Sequence, residues 1–531
     1  MLSRHVLPWL VNPLLGTAFG SKSGPPAPIV KINAGMLVGT TTTIANTTVT
    51  VSEFLGVPFA ASPTRFAPPT RATSWSTPLQ ATAYGPACPQ QFNYPDELRE
   101  AEIAWFNTPP PSAGESEDCL NLNIYVPGTP GNNKAVMVWI YGGALQYGWN
   151  SFHLYDGASF AANQDVIVVT INYRTGILGF PAAPQLPITR RNLGFLDQRF
   201  ALSWVQQNIA AFGGDPGKVT IFGQSAGGRS VDILVTSMPH NPPFRAAIME
   251  SGVANYNFPM GDLSGPWNTT VQALNCTTSI DILKCMRRVD LATLMNTIEH
   301  LEVVFEYTLD NVTAVYRSET ARRAGNIARV PILIGTVAND GLLFVLGEND
   351  TQAYLEEVIP NQPSLYPAIL EAYLIRSPGI GSTQDQIAAI ETEVRFQCPS
   401  AIVAQDTQNL GIPTWRYYYN ATFENLALFA GSEVYHSSEI GIVFGTYPVA
   451  NDTALEVQTN KYMQGAWAAF AKDPTNGPGW KQVPNIAALG SPGKAIEVDI
   501  FPATIDKRCA LYTSYYTELG TIASGKSQLI G

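Results

Sequence analysis

The chain has 531 residues, 45% hydrophobic and only 14% charged, so a large core is available and extensive disorder is excluded. A formal net charge of −11, with no basic cluster to offset it, argues against nucleic acid as a general partner. No internal stretch is long and apolar enough to span a membrane as a helix.

In chain order, Arg4 and His5 precede an apolar stretch at 6–11 and Leu14-Leu15, with small residues at Ala18 and Gly20. Residues 1–20 therefore read as a secretory leader, although Pro8 and Pro13 weaken the pattern. Residues 25–28 (PPAP) form a linker, and 29–57 are strand-like. Residues 135–140 and 165–171 are short apolar runs bounded by turn residues, as in buried strands of a parallel sheet. Residues 195–209 have helical periodicity through Leu196, Phe200, Leu202, Val205 and Ile209. Further strands are predicted at 219–222, 246–249 and 331–335, with a helix opening at Ala226. Strands alternating with helices imply an α/β fold with a large, mostly parallel central sheet flanked by helices. Gly and Pro punctuation is spread evenly, so 21–531 reads as one domain.

Two further signs bear on compartment. Asn-x-Ser/Thr sequons occur at Asn46, Asn268, Asn275, Asn311, Asn349, Asn420 and Asn451. The six cysteines are even in number and lack the paired CxxC spacing of a zinc site. Together with the leader, these predict a secreted, disulfide-bonded glycoprotein.

Gly223-Gln224-Ser225-Ala226-Gly227 places a serine between two glycines at a strand-to-helix turn. That context is a nucleophile elbow, in which the hydroxyl projects beside a helix N-terminus. A serine needs a base to take its proton and a carboxylate to orient the base. There are five histidines, and the order serine, acid, histidine requires a late one, which selects His436 over His5, His153, His240 and His300. Between them, Asp340 lies in the turn after the 331–335 strand. Taken alone, Asn339-Asp340-Gly341 is an ordinary turn, and its place in the chain order is what singles it out. Gly142-Gly143-Ala144, after the 135–140 strand, is the early glycine-rich turn expected to supply oxyanion-hole N–H groups with Ala226.

At this point the chain resembles the type-B carboxylesterase/lipase family of α/β hydrolases. The likeness rests on 212–227 (FGGDPGKVTIFGQSAG) and 117–125 (EDCLNLNIY), with Asn172-Tyr173-Arg174, 192–198, and His436-Ser437-Ser438-Glu439-Ile440 as further matches. It runs from about residue 29 to the end of the chain. The resemblance implies Ser225 as nucleophile, His436 as base, Asp340 as orienting acid, and Gly143, Ala144 and Ala226 as oxyanion donors. It also implies disulfides Cys88 to Cys119, Cys276 to Cys285 and Cys398 to Cys509. The 88–119 loop would be a lid or a static gorge wall.

Three departures stand out. The family usually carries Glu where Asp340 stands, commonly Glu where Gln224 stands, and Gly where Ala144 stands. Neutral Gln224 counts against cationic, choline-like substrates. The expected activity is hydrolysis of apolar carboxylic esters through an acyl-enzyme, with a small-molecule ester as partner and no metal or organic cofactor implied. A narrow esterase or acyltransferase tailoring one secondary metabolite is the alternative within the enzyme class. A non-catalytic adhesion or binding relative is the alternative outside it, disfavoured because the triad residues are all present.

Overall fold

The computed structural model describes residues 27–516 apart from 46, 107, 255–261, 361, 433 and 492, so the leader reading and the Asn46 sequon lie outside the described residues. In chain order the strands are β1 (Ile29–Ile32), β2 (Gly35–Val38), β3 (Thr40–Thr43), β4 (Thr50–Pro58), β5 (Leu79–Gln80), β6 (Asn121–Pro127) and β7 (Lys134–Ile140). They continue as β8 (Ile167–Ile171), β9 (Gly214–Gln224), β10 (Ala246–Glu250), β11 (Ile332–Val337), β12 (Thr414–Tyr419), β13 (Ile486–Leu489) and β14 (Ile496–Ile500). Among the described residues, β1, β2 and β5 form a small sheet. The other eleven form one sheet in the order β14-β13-β12-β11-β10-β9-β7-β8-β6-β4-β3.

The run from β8 through β7, β9, β10, β11 and β12 to β13 is parallel throughout. The flanks β3-β4-β6-β8 and β13-β14 are antiparallel. This is the large, mostly parallel α/β sheet expected, with antiparallel edges added. Every residue of β7, β8, β10 and β11 is buried, which is why these segments read as unbroken apolar runs. β3, by contrast, is four threonines with no buried position.

Several boundaries move from their predicted places. The 165–171 run starts as a strand only at Ile167, because Asp165 ends the helix Ala158–Gln164 in a left-handed conformation (φ 48°) and pairs with Lys134 at 2.6 Å. The helix predicted at 195–209 is Leu193–Asn208, and Ile209 begins a tighter 3-10 turn. β9 extends back to Gly214, through a Gly-Asp-Pro-Gly stretch that looks like a turn.

The helix Ala226–Ser237 packs on β9 and β10, Ala454–Lys472 on β7 and β9, and Cys398–Asn409 on β11 and β12. One continuous hydrophobic cluster reaches from Ile32 to Tyr516. The disulfides are Cys88–Cys119, Cys276–Cys285 and Cys398–Cys509, as the resemblance implied.

Two of the sequence motifs turn out to be structural. Arg174 makes a paired contact with fully buried Asp197, at 2.7 and 2.8 Å, tying the loop after β8 to the helix Leu193–Asn208. Asn121 and Asn172 both donate to the Cys119 carbonyl, and Asn150 donates to Asn121. Asn123 donates to Thr170 across the β6–β8 pair. These amides satisfy buried backbone groups where the disulfide loop meets the sheet.

Candidate active site

Parallel neighbours bring the C-terminal ends of β7, β9, β10 and β11 to one edge of the sheet, where ligands bind in open α/β folds. Each end carries a polar element: Gly142–Ala144 after β7, Ser225 after β9, Ser251 after β10 and Asp340 after β11.

Ser225 sits between β9 and the helix Ala226–Ser237 with φ 58° and ψ −124°. A side chain held there costs on the order of 1–3 kcal/mol, supplied by surroundings that leave no alternative. The Ser225 N–H donates to the Glu250 carbonyl at 2.8 Å. A Cβ on Gly227 would collide with the Ile140 carbonyl, and one on Gly252 with the Ser225 carbonyl. The glycines are therefore required by close backbone approach on both sides of the turn.

Asp340 is fully buried and accepts three hydrogen bonds. Its Oδ1 lies 2.8 Å from His436 Nδ1, and its Oδ2 accepts from Ser251 Oγ at 2.9 Å and the Val337 N–H at 3.0 Å. With a carboxylate facing Nδ1, that nitrogen carries the proton and Nε2 presents a lone pair. The ring is held on its faces and edges by Phe344 (5.0 Å between centroids) and Phe396 (4.8 Å). Phe396 is presented by a π-helical segment, Thr392–Gln397, an irregularity that recurs at functional sites. His436 Nε2 meets the Gln224 side-chain Nε2 at 3.1 Å.

The Gly142–Ala144 turn is built on left-handed backbone, with φ 96° at Gly143 and 54° at Ala144. Among the described residues, the N–H groups of Gly143, Ala144 and Ala226 donate to no protein acceptor. The turn also closes on the elbow: a Cβ on Gly142 would lie 2.9 Å from that of Ser225.

A cavity of about 70 Å³ is lined by Gly142, Gly143, Ala144, Gln224, Ser225 and His436 on its polar side and by Phe106, Tyr147, Phe152, Leu154, Tyr155, Phe344 and Ile440 on its apolar side. Phe106 follows the helix Asp96–Trp105 inside the Cys88–Cys119 loop and packs on Phe344 (5.7 Å) and Tyr147 (6.2 Å). Arg99 anchors this helix to Glu299 at 2.7 Å. A larger cavity, about 330 Å³, lies at the ends of β11 and β12 near Glu393, Asn420 and Arg508 and contains none of Ser225, Asp340 or His436.

Beside the Asp340–His436 pair lie two fully buried carboxyls, Glu250 and Glu439. Burial pushes Glu250 up to about 8, although Trp467 Nε1 donates to it at 2.7 Å. Burial, with Glu250 and Asp340 nearby, pushes Glu439 well above the usual carboxyl range. Burial thus disfavours a negative charge on either carboxyl beside the Asp340–His436 pair.

The structure thus gathers Ser225, Asp340, His436, Gly143 and Ala144 at one place, with Ala226 beginning the helix. Among the described residues, His153, His240 and His300 make no contact with Asp340, and the His300 ring packs tilted against Tyr94 instead. Sequence reasoning missed Ser251, Phe344, Phe396 and the Gln224–His436 bond. The position of Ser251 directly after a buried strand was the one available signal.

Residues 26–495 match the profile of the Carboxylesterase family. The chain is 33% identical over 452 residues to para-nitrobenzyl esterase of Bacillus subtilis, covering 80% of this chain and 86% of that one. It is 33% identical over 506 residues to liver carboxylesterase 1F of Rattus norvegicus, covering 88% and 89%. It is 30% identical over 505 residues to a cholinesterase of Mus musculus, covering 88% and 82%.

Proposed function

The chain belongs to the carboxylesterase family and is a carboxylic ester hydrolase, and on that premise we propose that it cleaves apolar esters by acyl transfer through Ser225, His436 and Asp340. The observation that carries this reading is the 2.8 Å bond from His436 Nδ1 to Asp340, with the opposite edge of the ring lining the chamber that holds Ser225.

In the acylation step Ser225 Oγ bonds to the ester carbonyl carbon while its proton passes to His436 Nε2. The carbonyl oxygen becomes an oxyanion facing the N–H groups of Gly143, Ala144 and Ala226, whose lack of a protein acceptor leaves them free for it. The carbon–oxygen bond to the leaving alcohol then breaks, and that alcohol takes the proton from Nε2. Water repeats the sequence on the acyl-enzyme and releases the acid. Asp340 holds the imidazole tautomer and stabilises the imidazolium without itself taking the proton.

The aromatic and aliphatic walls support apolar esters, and neutral Gln224 offers nothing to a cationic alcohol. The small chamber, about 70 Å³, supports a short acyl chain. Secretion as a glycoprotein belongs to the same reading. Three closed disulfides support it, as do the exposed sequon residues Asn268, Asn275, Asn311, Asn349 and Asn451; Asn420 is half-buried. The continuous core supports residues 21–531 acting as one catalytic unit.

The test is hydrolysis of p-nitrophenyl esters from acetate to palmitate by wild type and Ser225→Ala. Turnover that peaks at short chains and disappears in the variant is expected. Turnover that survives in Ser225→Ala overturns the assignment. The small chamber also favours a second reading, an esterase or acyltransferase dedicated to one metabolite. Folded protein that is labelled by a fluorophosphonate yet inert to every p-nitrophenyl ester would establish that reading instead.

A further inference from the structure

Gln224 is the last residue of β9, directly before the nucleophile, and its side chain is almost wholly buried. Its amide nitrogen lies 3.1 Å from His436 Nε2. The Asp340 contact fixes the histidine proton on Nδ1, so Nε2 has one in-plane lone pair and can only accept. An amide N–H is a donor that fits it, whereas a carboxylate at position 224 would have no hydrogen to offer. That lone pair is the one that must receive the Ser225 proton. Among the described residues Ser225 makes no hydrogen bond to His436, so in the free protein the base is bonded to Gln224 and the serine hydroxyl is left out. The other end of the same side chain faces the oxyanion turn: its Oε1 is 3.2 Å from where a Cβ on Gly142 would lie. An ester carbonyl seated against Gly143 and Ala144 therefore arrives beside Gln224.

We propose that Gln224 is a positioning residue that parks the base: its amide fills the His436 lone pair in the free enzyme and gives it up to Ser225 when ester enters. The inference rests on the assignment of Ser225 and His436 made above. The parked bond stabilises free enzyme relative to the transition state, in which Nε2 holds the serine proton and accepts nothing. Parking therefore lowers kcat/KM, while kcat, measured from a complex already exchanged, does not carry this cost.

The experiment compares wild type with Gln224→Met, which keeps the length of the side chain and removes the donor. Gln224→Leu serves as a second shape, and p-nitrophenyl acetate is the substrate. The expected result is a rise in kcat/KM of about three- to tenfold, the effect of releasing one neutral hydrogen bond, expressed as a fall in KM. A fluorophosphonate, which reads the free enzyme, should label Ser225 faster by the same factor. A kcat/KM that is unchanged or reduced in both folded variants, with labelling no faster, overturns the proposal. A merely structural role for Gln224 predicts a fall in kcat. Ser225→Ala run alongside separates the two layers: if it stays active, the triad assignment fails, and if it is dead while the Gln224 variants match wild type, only the parking fails.

Discussion

Replacing Asp340 by Asn tests the site more sharply than removing it, because the structure dictates which way the new amide must face. The Val337 N–H, 3.0 Å from Oδ2, can only donate, so the Asn oxygen has to take that side, where Ser251 can also donate to it. The NH2 group then points at His436 Nδ1, 2.8 Å away in the wild type. Two donors cannot share that contact, so the imidazole must carry its proton on Nε2, where it is no base. Flipping the amide to restore the tautomer leaves the buried Val337 N–H facing a donor, which costs about 1–3 kcal/mol, a factor of roughly 5–160 at 1.36 kcal/mol per decade. The lost carboxylate charge, which would stabilise the imidazolium, supplies the rest of a drop of about 10⁴ in kcat, the size seen when a triad carboxylate becomes an amide. The assay is p-nitrophenyl acetate hydrolysis, with circular dichroism and thermal unfolding to show that the variant is folded. Asp340→Asn within tenfold of wild type would refute the reasoning, since neither tautomer control nor charge at position 340 would then matter.

Two other perturbations follow from the same surroundings. Glu250 is fully buried with its acidity shifted up to about 8, so the folded state binds a proton that the unfolded chain has released, and stability falls as pH rises from about 4.5 to 8. A shift of that size corresponds to about 4–5 kcal/mol, so Glu250→Gln, which still accepts from Trp467, should gain Tm relative to wild type at pH 8 but not at pH 5. Parallel Tm–pH curves for the two proteins would contradict this. Phe106 closes the chamber against Phe344 and Tyr147, and Phe106→Ala should admit longer acyl chains. Each newly seated methylene contributes about 0.8 kcal/mol, so two should raise the octanoate-to-butyrate ratio of kcat/KM by about 15-fold. An unchanged chain-length profile would show that Phe106 is not the wall.

The central strands and the site chemistry were legible for different reasons. β7, β8, β10 and β11 are covered on both faces, which forces near-continuous apolar sequence, and that pattern is local. Ser225 was legible because it has glycine two residues away on each side, at 223 and 227, and His436 because few histidines compete with it. Asp340 emerged only from chain order. What stayed hidden is non-local. Ser251 and Asp340 are 89 residues apart, and Gln224 and His436 are 212 apart, so no window of sequence contains either bond. Phe344 and Phe396 look like ordinary apolar residues until a turn and a π-helical segment bring them onto one imidazole. Strand β12, inside the parallel run, was equally hard to read, since TWRYYY follows no simple alternation.

The Cys398–Cys509 bridge gives the chain a topology that the folded picture hides. It closes 111 residues of sequence into a covalent ring carrying β12, His436, the helix Ala454–Lys472, β13 and β14, while Ser225 and Asp340 remain on the open arm outside it. A ring of about this size removes roughly 4.7 kcal/mol of loop entropy from the denatured chain, against about 2.7 for the 9-residue span between Cys276 and Cys285. The denatured, oxidised polymer is therefore a lasso rather than a line, with His436 confined to the noose and Ser225 on the rope. Cutting that one sulfur–sulfur link with a reductant returns most of the missing freedom to the stretch that bears the imidazole.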